Sequence, residues 1–85
     1  MASYKIEFKK SAVKELKALP KPYLKAVTEA IGALASNPRP EGSIKLSGAE
    51  AYRIRIGVYR VVYEIRDDVL VVTVIRIGHR KEVYR

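Results

Sequence analysis

The stretch YRIRIGVYRVVYEIRDDVLVVTVIRI, residues 52–77, contains the pattern that determines the fold. Apolar and charged residues alternate along 52–56 and again along 59–65, and this period of two predicts two strands. Gly57–Val58 between them predicts a tight reversal of the chain. Because so short a connection joins antiparallel neighbours, we expect these two strands to form a hairpin.

The next run, residues 69–77, is β-branched almost throughout. Such a composition is typical of a strand that is buried on both faces. Asp67–Asp68 predicts the turn that leads into it, so that the three strands form an antiparallel meander. Gly78 is expected to end the last strand and to leave HRKEVYR as a short charged tail.

The first half of the chain predicts one strand and two helices. Residues 3–8 alternate like a strand, and Ser11 is a candidate N-cap for a helix that runs up to Pro20. Pro22 suits the first turn of a second helix, where an amide proton has no partner in any case. Asn37–Pro38 is expected to close that helix, because proline disfavours helical geometry in the residue before it.

Residues 39–51 carry Pro and Gly punctuators and are predicted to form a connecting loop. The resulting order is β-α-α-β-β-β, which predicts an α+β fold. In this fold a helical hairpin packs on one face of a mainly antiparallel four-stranded sheet. A length of 85 residues favours one domain, 1–85, with a single thin core.

Composition excludes several classes of protein. The chain has no cysteine, which removes disulfide scaffolds and zinc–cysteine sites, and His79 alone cannot build a multi-histidine metal site. No apolar run approaches the roughly 20 residues of a membrane span, and the N-terminus lacks a signal-peptide core. We therefore expect a cytoplasmic, free-standing protein with no membrane partner, no metal and no small-molecule cofactor.

The net charge points to a polyanionic partner. Seventeen Lys and Arg against nine Asp and Glu give +8, and seven of the eight arginines lie from Arg53 onward. Such an excess on a small body favours nucleic acid, an anionic membrane surface or an acidic protein. Arginines on strands further suggest recognition of phosphate or carboxylate, because the guanidinium fork pairs with two oxygens at once.

Alternation indicates where these arginines point. If the helices cover the face of Tyr52, then Arg53 and Arg55 project from the opposite face, and a hairpin partner can place Arg60 beside them. We expect the charged tail to converge on the same surface. The candidate residues for phosphate or RNA binding are Arg53, Arg55, Arg60, Arg80 and Lys81, and those for catalysis are Arg53, Arg55, Arg60, His79, Arg80 and Tyr84.

This set of residues fits metal-independent cleavage of RNA by its own 2′-hydroxyl. Arginines would stabilise the charge on the phosphorane-like transition state, and His79 could transfer a proton because its ordinary pKa lies near ~6.5. Tyr84 could stack on a base or transfer a proton. The simpler interpretations are solvated surface charge for the arginines, a surface position for His79, and packing of the tail for Tyr84. Tyr52, Tyr59 and Tyr63 are predicted to be core residues.

Three blocks of the second half carry a family resemblance: YRIRIG (52–57), YRVVYEI (59–65) and RIGHRKEVY (76–84). Together, in this order and spacing, they resemble the RelE-like toxins of bacterial and archaeal toxin–antitoxin pairs. The likeness extends over essentially the whole chain, including the N-terminal strand and the helical hairpin.

The resemblance implies a metal-independent endoribonuclease that cleaves mRNA in the ribosomal A site through the 2′-hydroxyl. Matched position by position, the basic pair of the first meander strand falls on Arg53 and Arg55, and the phosphate-binding arginine falls on Arg60. The tail arginine falls on Arg80 and the terminal tyrosine on Tyr84. The implied partners are the ribosome, mRNA and an acidic RelB-like antitoxin, encoded adjacently, that covers the arginine surface or displaces the tail.

Two departures from the family pattern affect the mechanism. Well-described relatives have lysines where this chain has Arg53 and Arg55, and arginine cannot readily act as a base. His79 is the natural substitute, with Glu41 and Glu50 as weaker candidates. The chain also stops at residue 85, without the C-terminal helix that some relatives carry.

Two alternatives stay open. ParE-like toxins share the architecture and resemble gyrase poisons, but they lack the basic-plus-tyrosine face. A catalytically inactive member of the same fold would use its arginines only to bind an antitoxin or ribosomal RNA.

Overall fold

The predicted meander forms the larger part of one sheet in the computed structural model, which describes residues 3–46 and 50–79. The elements are β1 (Lys5–Phe8), α1 (Lys10–Lys17), α2 (Lys21–Ala33), β2 (Ile44–Lys45), β3 (Ala51–Ile56), β4 (Tyr59–Arg66) and β5 (Val71–His79). The strand order is β1-β5-β4-β3-β2, in which β1 and β5 are parallel and all other neighbours are antiparallel.

The α+β fold is confirmed, but the sheet has five strands rather than four. The additional strand, β2, lies within the predicted loop 39–51. It consists of Ile44 paired with Arg53 and Lys45 paired with Tyr52. Two residues are too few for alternation to distinguish a strand from a loop.

The helices follow the proline signals more closely than the cap signal. Pro22 lies in the first turn of α2, as predicted. The N-cap of α1 is Lys9, which makes no side-chain capping bond, so the prediction of Ser11 as N-cap is wrong. The second helix ends at Ala33, and Leu34–Ser36 form a turn before the proline. Packing against the sheet therefore stabilises α1 in place of a polar cap.

Both helices pack on one face of the sheet and enclose the core there. Its centre is Tyr63 on β4, which is fully buried and donates a hydrogen bond to the Pro38 carbonyl at 2.7 Å. The remaining buried core residues are Ala12, Val27, Ile31, Leu34, Ile54, Val61, Ile65, Val72, Val74 and Ile77. Tyr52 and Tyr59 pack against this core, as predicted, although both are only partly buried.

The last strand departs from expectation in burial, start and end. Val72 and Val74 are buried under the helices, but Thr73 is only half-buried on the other face, so burial on both faces is wrong. Residues 67–70 form the preceding turn, where Leu70 has a φ of 56°, and the strand starts at Val71. It continues through Gly78 to His79, so Gly78 does not end it.

A β-bulge interrupts β5 near its middle. Tyr63 pairs with Val74 and Val62 pairs with Arg76, which leaves Ile75 as an extra residue on β5. A bulge of this kind reverses the side-chain alternation that follows it. After Ile75, residues that a regular alternation would place on one face of the sheet therefore lie on the other face.

Beyond the end of β1, a side chain of α1 accepts a hydrogen bond from the free edge of β5. The Glu15 carboxylate on α1 accepts a hydrogen bond from the Ile77 amide at 2.7 Å and lies 3.8 Å from the Arg76 guanidinium. This contact ties α1 to the second half of β5. Within residues 3–46 and 50–79, no helix is long and apolar enough to cross a membrane.

Candidate phosphate-binding site

The β3–β4 hairpin places three arginines on the face opposite the helices. Arg55 pairs directly with Arg60 across the hairpin, and Arg53 lies two residues before Arg55 on the same face, where it pairs with Val62. Paired residues of neighbouring strands project to the same side, so these three side chains lie on the same face of the sheet. We call Arg53, Arg55 and Arg60 the arginine cluster.

A two-residue turn sets this register. Ile56 pairs with Tyr59 across Gly57–Val58, and Gly57 has a φ of +60°. Positive φ at the first central position is typical of the type II′ turn, which matches the twist of a hairpin and favours glycine. A β-carbon at Gly57 would also lie 3.3 Å from Tyr23 on α2. The sequence GV thus determines that Arg55 faces Arg60.

The three arginines differ in burial. Arg55 is exposed, Arg53 is half-buried and Arg60 is only 3% exposed. Like charges directly opposite one another destabilise a strand pair unless an anion lies between or near them. A phosphate that pairs with the exposed Arg55 guanidinium would offset part of this repulsion.

A cleft lies beside the arginine cluster. Its volume is about 370 Å³, and its lining consists of Glu41, Gly42, Ile44, Arg53, Ile54 and Arg55. Two arginines, one glutamate and the exposed Ile44 are thus among the residues that line it. Glu41 is one of the weaker sequence candidates for a base. Gly42 and Ile44 are missed by the sequence analysis, because neither a turn glycine nor a two-residue strand signals a site.

Glu50, the other carboxylate candidate, has a different environment. Its side chain lies 3.6 Å from the Lys45 ammonium in an exposed ion pair, and it does not line the cleft. Of Glu41 and Glu50, the two carboxylates that the sequence offers as a base, Glu41 is therefore the one that lines the cleft.

His79 lies on the helix side of the sheet. It pairs with Tyr59, and the two rings are 6.0 Å apart, while Tyr59 in turn contacts Tyr23 of α2 at 4.8 Å. His79 and the arginine cluster therefore lie on opposite faces of the sheet, and the prediction that they converge is wrong. The extra residue Ile75 is the cause, because it reverses the side-chain alternation of the last residues of β5.

The environment of His79 is a second cavity, of about 280 Å³, between the end of α1 and the end of β5. Glu15 and Leu19 of the helical side line it together with Tyr59. The remaining predicted site residues, Arg80, Lys81 and Tyr84, lie outside the described residues.

The loop that carries Glu41 is fastened to the sheet on its N-terminal side. The Arg39 guanidinium donates to both carboxylate oxygens of Asp67, at 3.3 and 2.8 Å, and its Nε donates to the Tyr52 hydroxyl at 3.0 Å. The Tyr4 hydroxyl donates to the same Asp67 carboxylate at 2.5 Å. We call Tyr4, Arg39, Tyr52 and Asp67 the loop clamp.

Protonation equilibria reflect these contacts. The hydrogen bond from Arg39, followed by that from Tyr4, lowers the pKa of Asp67 below its ordinary value. Burial raises the pKa of Tyr63 to about 12. Within the described part of the chain, no three or more His, Cys, Asp or Glu side chains are grouped so that they could bind a metal ion.

Residues 6–84 match the family model described as the ParE toxin of a type II toxin–antitoxin system, parDE. The chain is 35% identical over 86 residues to the protein named RelE1 of Methanocaldococcus jannaschii, covering 96% of each chain. It is 34% identical over 84 residues to Toxin RelG of Mycobacterium tuberculosis, covering 96% of this chain and 97% of that protein.

Solved structures agree with these relatives. The toxin–antitoxin complex RelBE2 of Mycobacterium tuberculosis superposes with a TM-score of 0.79 at 33% identity, over 93% of this chain and all of that one (100%). The intact E. coli RelBE complex superposes with a TM-score of 0.81 at 26% identity, over 91% of this chain and 96% of that one.

Proposed function

Because the chain belongs to the RelE/ParE family of type II toxin–antitoxin toxins, we propose that it is a RelE-type mRNA endoribonuclease. It cleaves mRNA in the ribosomal A site and so inhibits translation in the cytoplasm. The observation that carries this proposal is the direct pairing of Arg55 with Arg60 on a face that the helices leave uncovered. A pair of guanidinium groups is suited to a phosphodiester group, because each planar fork can donate to two of its oxygens.

The proposed reaction is attack by the 2′-hydroxyl on the adjacent phosphorus. Glu41 accepts the hydroxyl proton, the 2′-oxygen bonds to phosphorus, and the bond to the 5′-oxygen breaks as that oxygen takes up a proton. The products are a 2′,3′-cyclic phosphate and a 5′-hydroxyl. Arg53, Arg55 and Arg60 stabilise the charge that develops on the phosphoryl oxygens, so that no metal ion is required.

The remaining roles follow the family resemblance. Arg80 and Lys81 are proposed as further phosphate contacts, and Tyr84 as the group that stacks on a base or transfers a proton. Since His79 lies on the helix side, Glu41 is the better proton acceptor in this geometry. A His79→Gln variant with an unchanged pH–rate profile would remove His79 from the reaction.

An acidic, RelB-like antitoxin is the proposed regulator, encoded beside this gene. Two of the similar solved structures are complexes named for such a pair, which supports this assignment. Binding that covers the arginine cluster, or that displaces the tail, would prevent access of the phosphate. Charge attraction would contribute to its association, so the complex is expected to form more slowly at high salt.

Single-turnover cleavage on programmed ribosomes tests the role of the arginine cluster. Arg55→Gln and Arg60→Gln should each lower the rate about 10²-fold or more, as removal of one preorganised donor does elsewhere. Arg66→Gln is a matched control, because Arg66 lies on the same strand and face about 20 Å from Arg60. Circular dichroism verifies that buried Arg60 can be replaced without unfolding. Wild-type rates in folded cluster variants would contradict the assignment.

One observation favours a second candidate, a ParE-like inhibitor of gyrase, because the matching family model is described as a ParE toxin. A supercoiling assay with purified gyrase separates the two activities. Inhibition of gyrase together with intact mRNA would support this candidate over the nuclease.

A further inference from the structure

The loop between α2 and β2 has an exposed attachment that the proposed chemistry does not use. Arg39 makes three hydrogen bonds through its side chain, two to Asp67 in the β4–β5 turn and one to Tyr52 on β3. Its guanidinium carbon also lies 5.2 Å from the centre of the Tyr52 ring. Asp67 in turn accepts from Tyr4, which precedes β1. The loop clamp thus joins four separate segments of the chain.

The clamp acts two residues before Glu41. Pro38, on one side of Arg39, is buried and accepts the hydrogen bond of Tyr63, and Pro40 lies on the other side. After Pro40 the chain turns at Glu41–Gly42, and the Ser43 amide closes this turn on the Pro40 carbonyl at 3.0 Å. With proline on both sides, the path of the backbone into Glu41 has few remaining degrees of freedom.

Exposed ion pairs generally contribute little to global stability. The loop clamp makes more contacts than an isolated exposed ion pair, since it combines a bidentate guanidinium–carboxylate pair with two tyrosine hydroxyls. The clamp holds Arg39 just before the segment of Glu41 and Gly42, which is exposed and lines the cleft beside the arginine cluster. The benefit of such a network is therefore expected in the placement of that segment.

We infer that Arg39 is a positioning residue of the proposed nuclease: with Asp67 and Tyr52 it holds the 38–43 loop so that Glu41 stays at the arginine cleft. This inference rests on the proposed function and on Glu41 as the proton acceptor. Misplacement of a reacting group by about 1 Å can lower a rate by up to two orders of magnitude. Loosening the clamp should consequently reduce the maximal rate without weakening binding by the arginine cluster.

A double-mutant cycle on programmed ribosomes tests this role. Arg39→Ala and Asp67→Asn should each lower the maximal single-turnover rate about tenfold, with a half-saturating ribosome concentration within about twofold of wild type. In a Glu41→Gln background the same two changes should have almost no further effect, because positioning acts only through Glu41. Glu7→Gln is the matched control, since it breaks another exposed ion pair, with Lys5, outside the loop.

Hydrogen exchange gives a readout that does not depend on activity. The Ser43 amide should exchange faster in Arg39→Ala than in wild type, and Glu7→Gln should leave it unchanged. Equal losses of rate with and without the Glu41 carboxylate, or unaltered exchange at Ser43, would overturn the inference while leaving the nuclease in place. A wild-type protein that does not cleave would remove the proposed function itself.

Discussion

Tyr63 connects the core with the loop of the candidate site. Its ring is fully buried on β4 and stacks near Tyr52, with centroids 6.1 Å apart, while its hydroxyl reaches the Pro38 carbonyl. A buried carbonyl that loses a donor remains desolvated with less compensation. One phenol therefore contributes both to the core and to the position of Pro38.

Tyr63→Phe should lower the free energy of unfolding by about 1–2 kcal/mol, because the ring is retained and one buried hydrogen bond is lost. Urea denaturation measures the change. Tyr23→Phe is the control, since Tyr23 is 37% exposed and its hydroxyl should contribute little. Equal losses in the two variants would contradict this account of the Tyr63–Pro38 contact.

Asp67 makes the loop clamp sensitive to acid. Its pKa is lower in the folded protein than in the unfolded chain, because the contacts with Arg39 and Tyr4 favour the carboxylate. The stability that it contributes is therefore complete above the unfolded pKa of 3.8 and is lost as the pH falls through the folded value. At this residue, acid and the Asp67→Asn substitution remove the same charge.

The stability difference between wild type and Asp67→Asn should consequently shrink as the pH is lowered below about 4. Thermal unfolding of both proteins between neutral pH and pH 3 measures this difference. Glu7→Gln serves as a control at an exposed ion pair outside the loop. A difference that grows on acidification would have the wrong sign for a carboxylate with a lowered pKa.

Among the elements, the β3–β4 hairpin is the one that the sequence describes best. Its alternation and its GV turn predict the register that brings Arg55 opposite Arg60. The β5 strand is less predictable, because residues 71–75, up to and including the extra residue of the bulge, are all apolar or β-branched. Alternation then gives no sign of the extra residue Ile75, and the side of His79 cannot be inferred from parity.

The glycines of the hairpin turn and of α2 should respond oppositely to alanine. Gly57→Ala requires positive φ and brings a β-carbon to 3.3 Å from Tyr23, so it should destabilise the fold by about 1–2 kcal/mol. Gly32 lies in α2 with nothing within 4 Å of a β-carbon, so Gly32→Ala should stabilise the protein by up to about 1 kcal/mol. Chemical denaturation measures the change in the free energy of unfolding for both variants. Changes of the same sign would contradict this account.

At the scale of the whole molecule, the positive charge is divided between two surfaces. The helical lysines Lys10, Lys14, Lys17, Lys21 and Lys25 are all exposed on the helical layer. The arginine cluster lies on the opposite side of the sheet, where no described helix covers it. If RNA binds at the cluster, the helical lysines should affect long-range attraction more than the contact itself.

Salt dependence distinguishes these contributions. For a single-stranded RNA oligonucleotide, the slope of log affinity against log salt should fall by about 0.7 when Arg55→Gln removes one phosphate contact. Arg66→Gln, which lies on the same face but away from the cluster, should leave the slope unchanged. Fluorescence anisotropy over a range of salt concentrations measures both slopes, and equal changes would argue for diffuse binding.

Primer extension on a defined mRNA in a translating extract tests the central claim most directly. We expect cuts within codons that appear only when the message is being translated, that persist when divalent ions are limited to those that ribosomes retain, and that disappear with Arg55→Gln. Cleavage of free mRNA in the absence of ribosomes would contradict ribosome dependence. An intact translated message would contradict the proposed nuclease altogether.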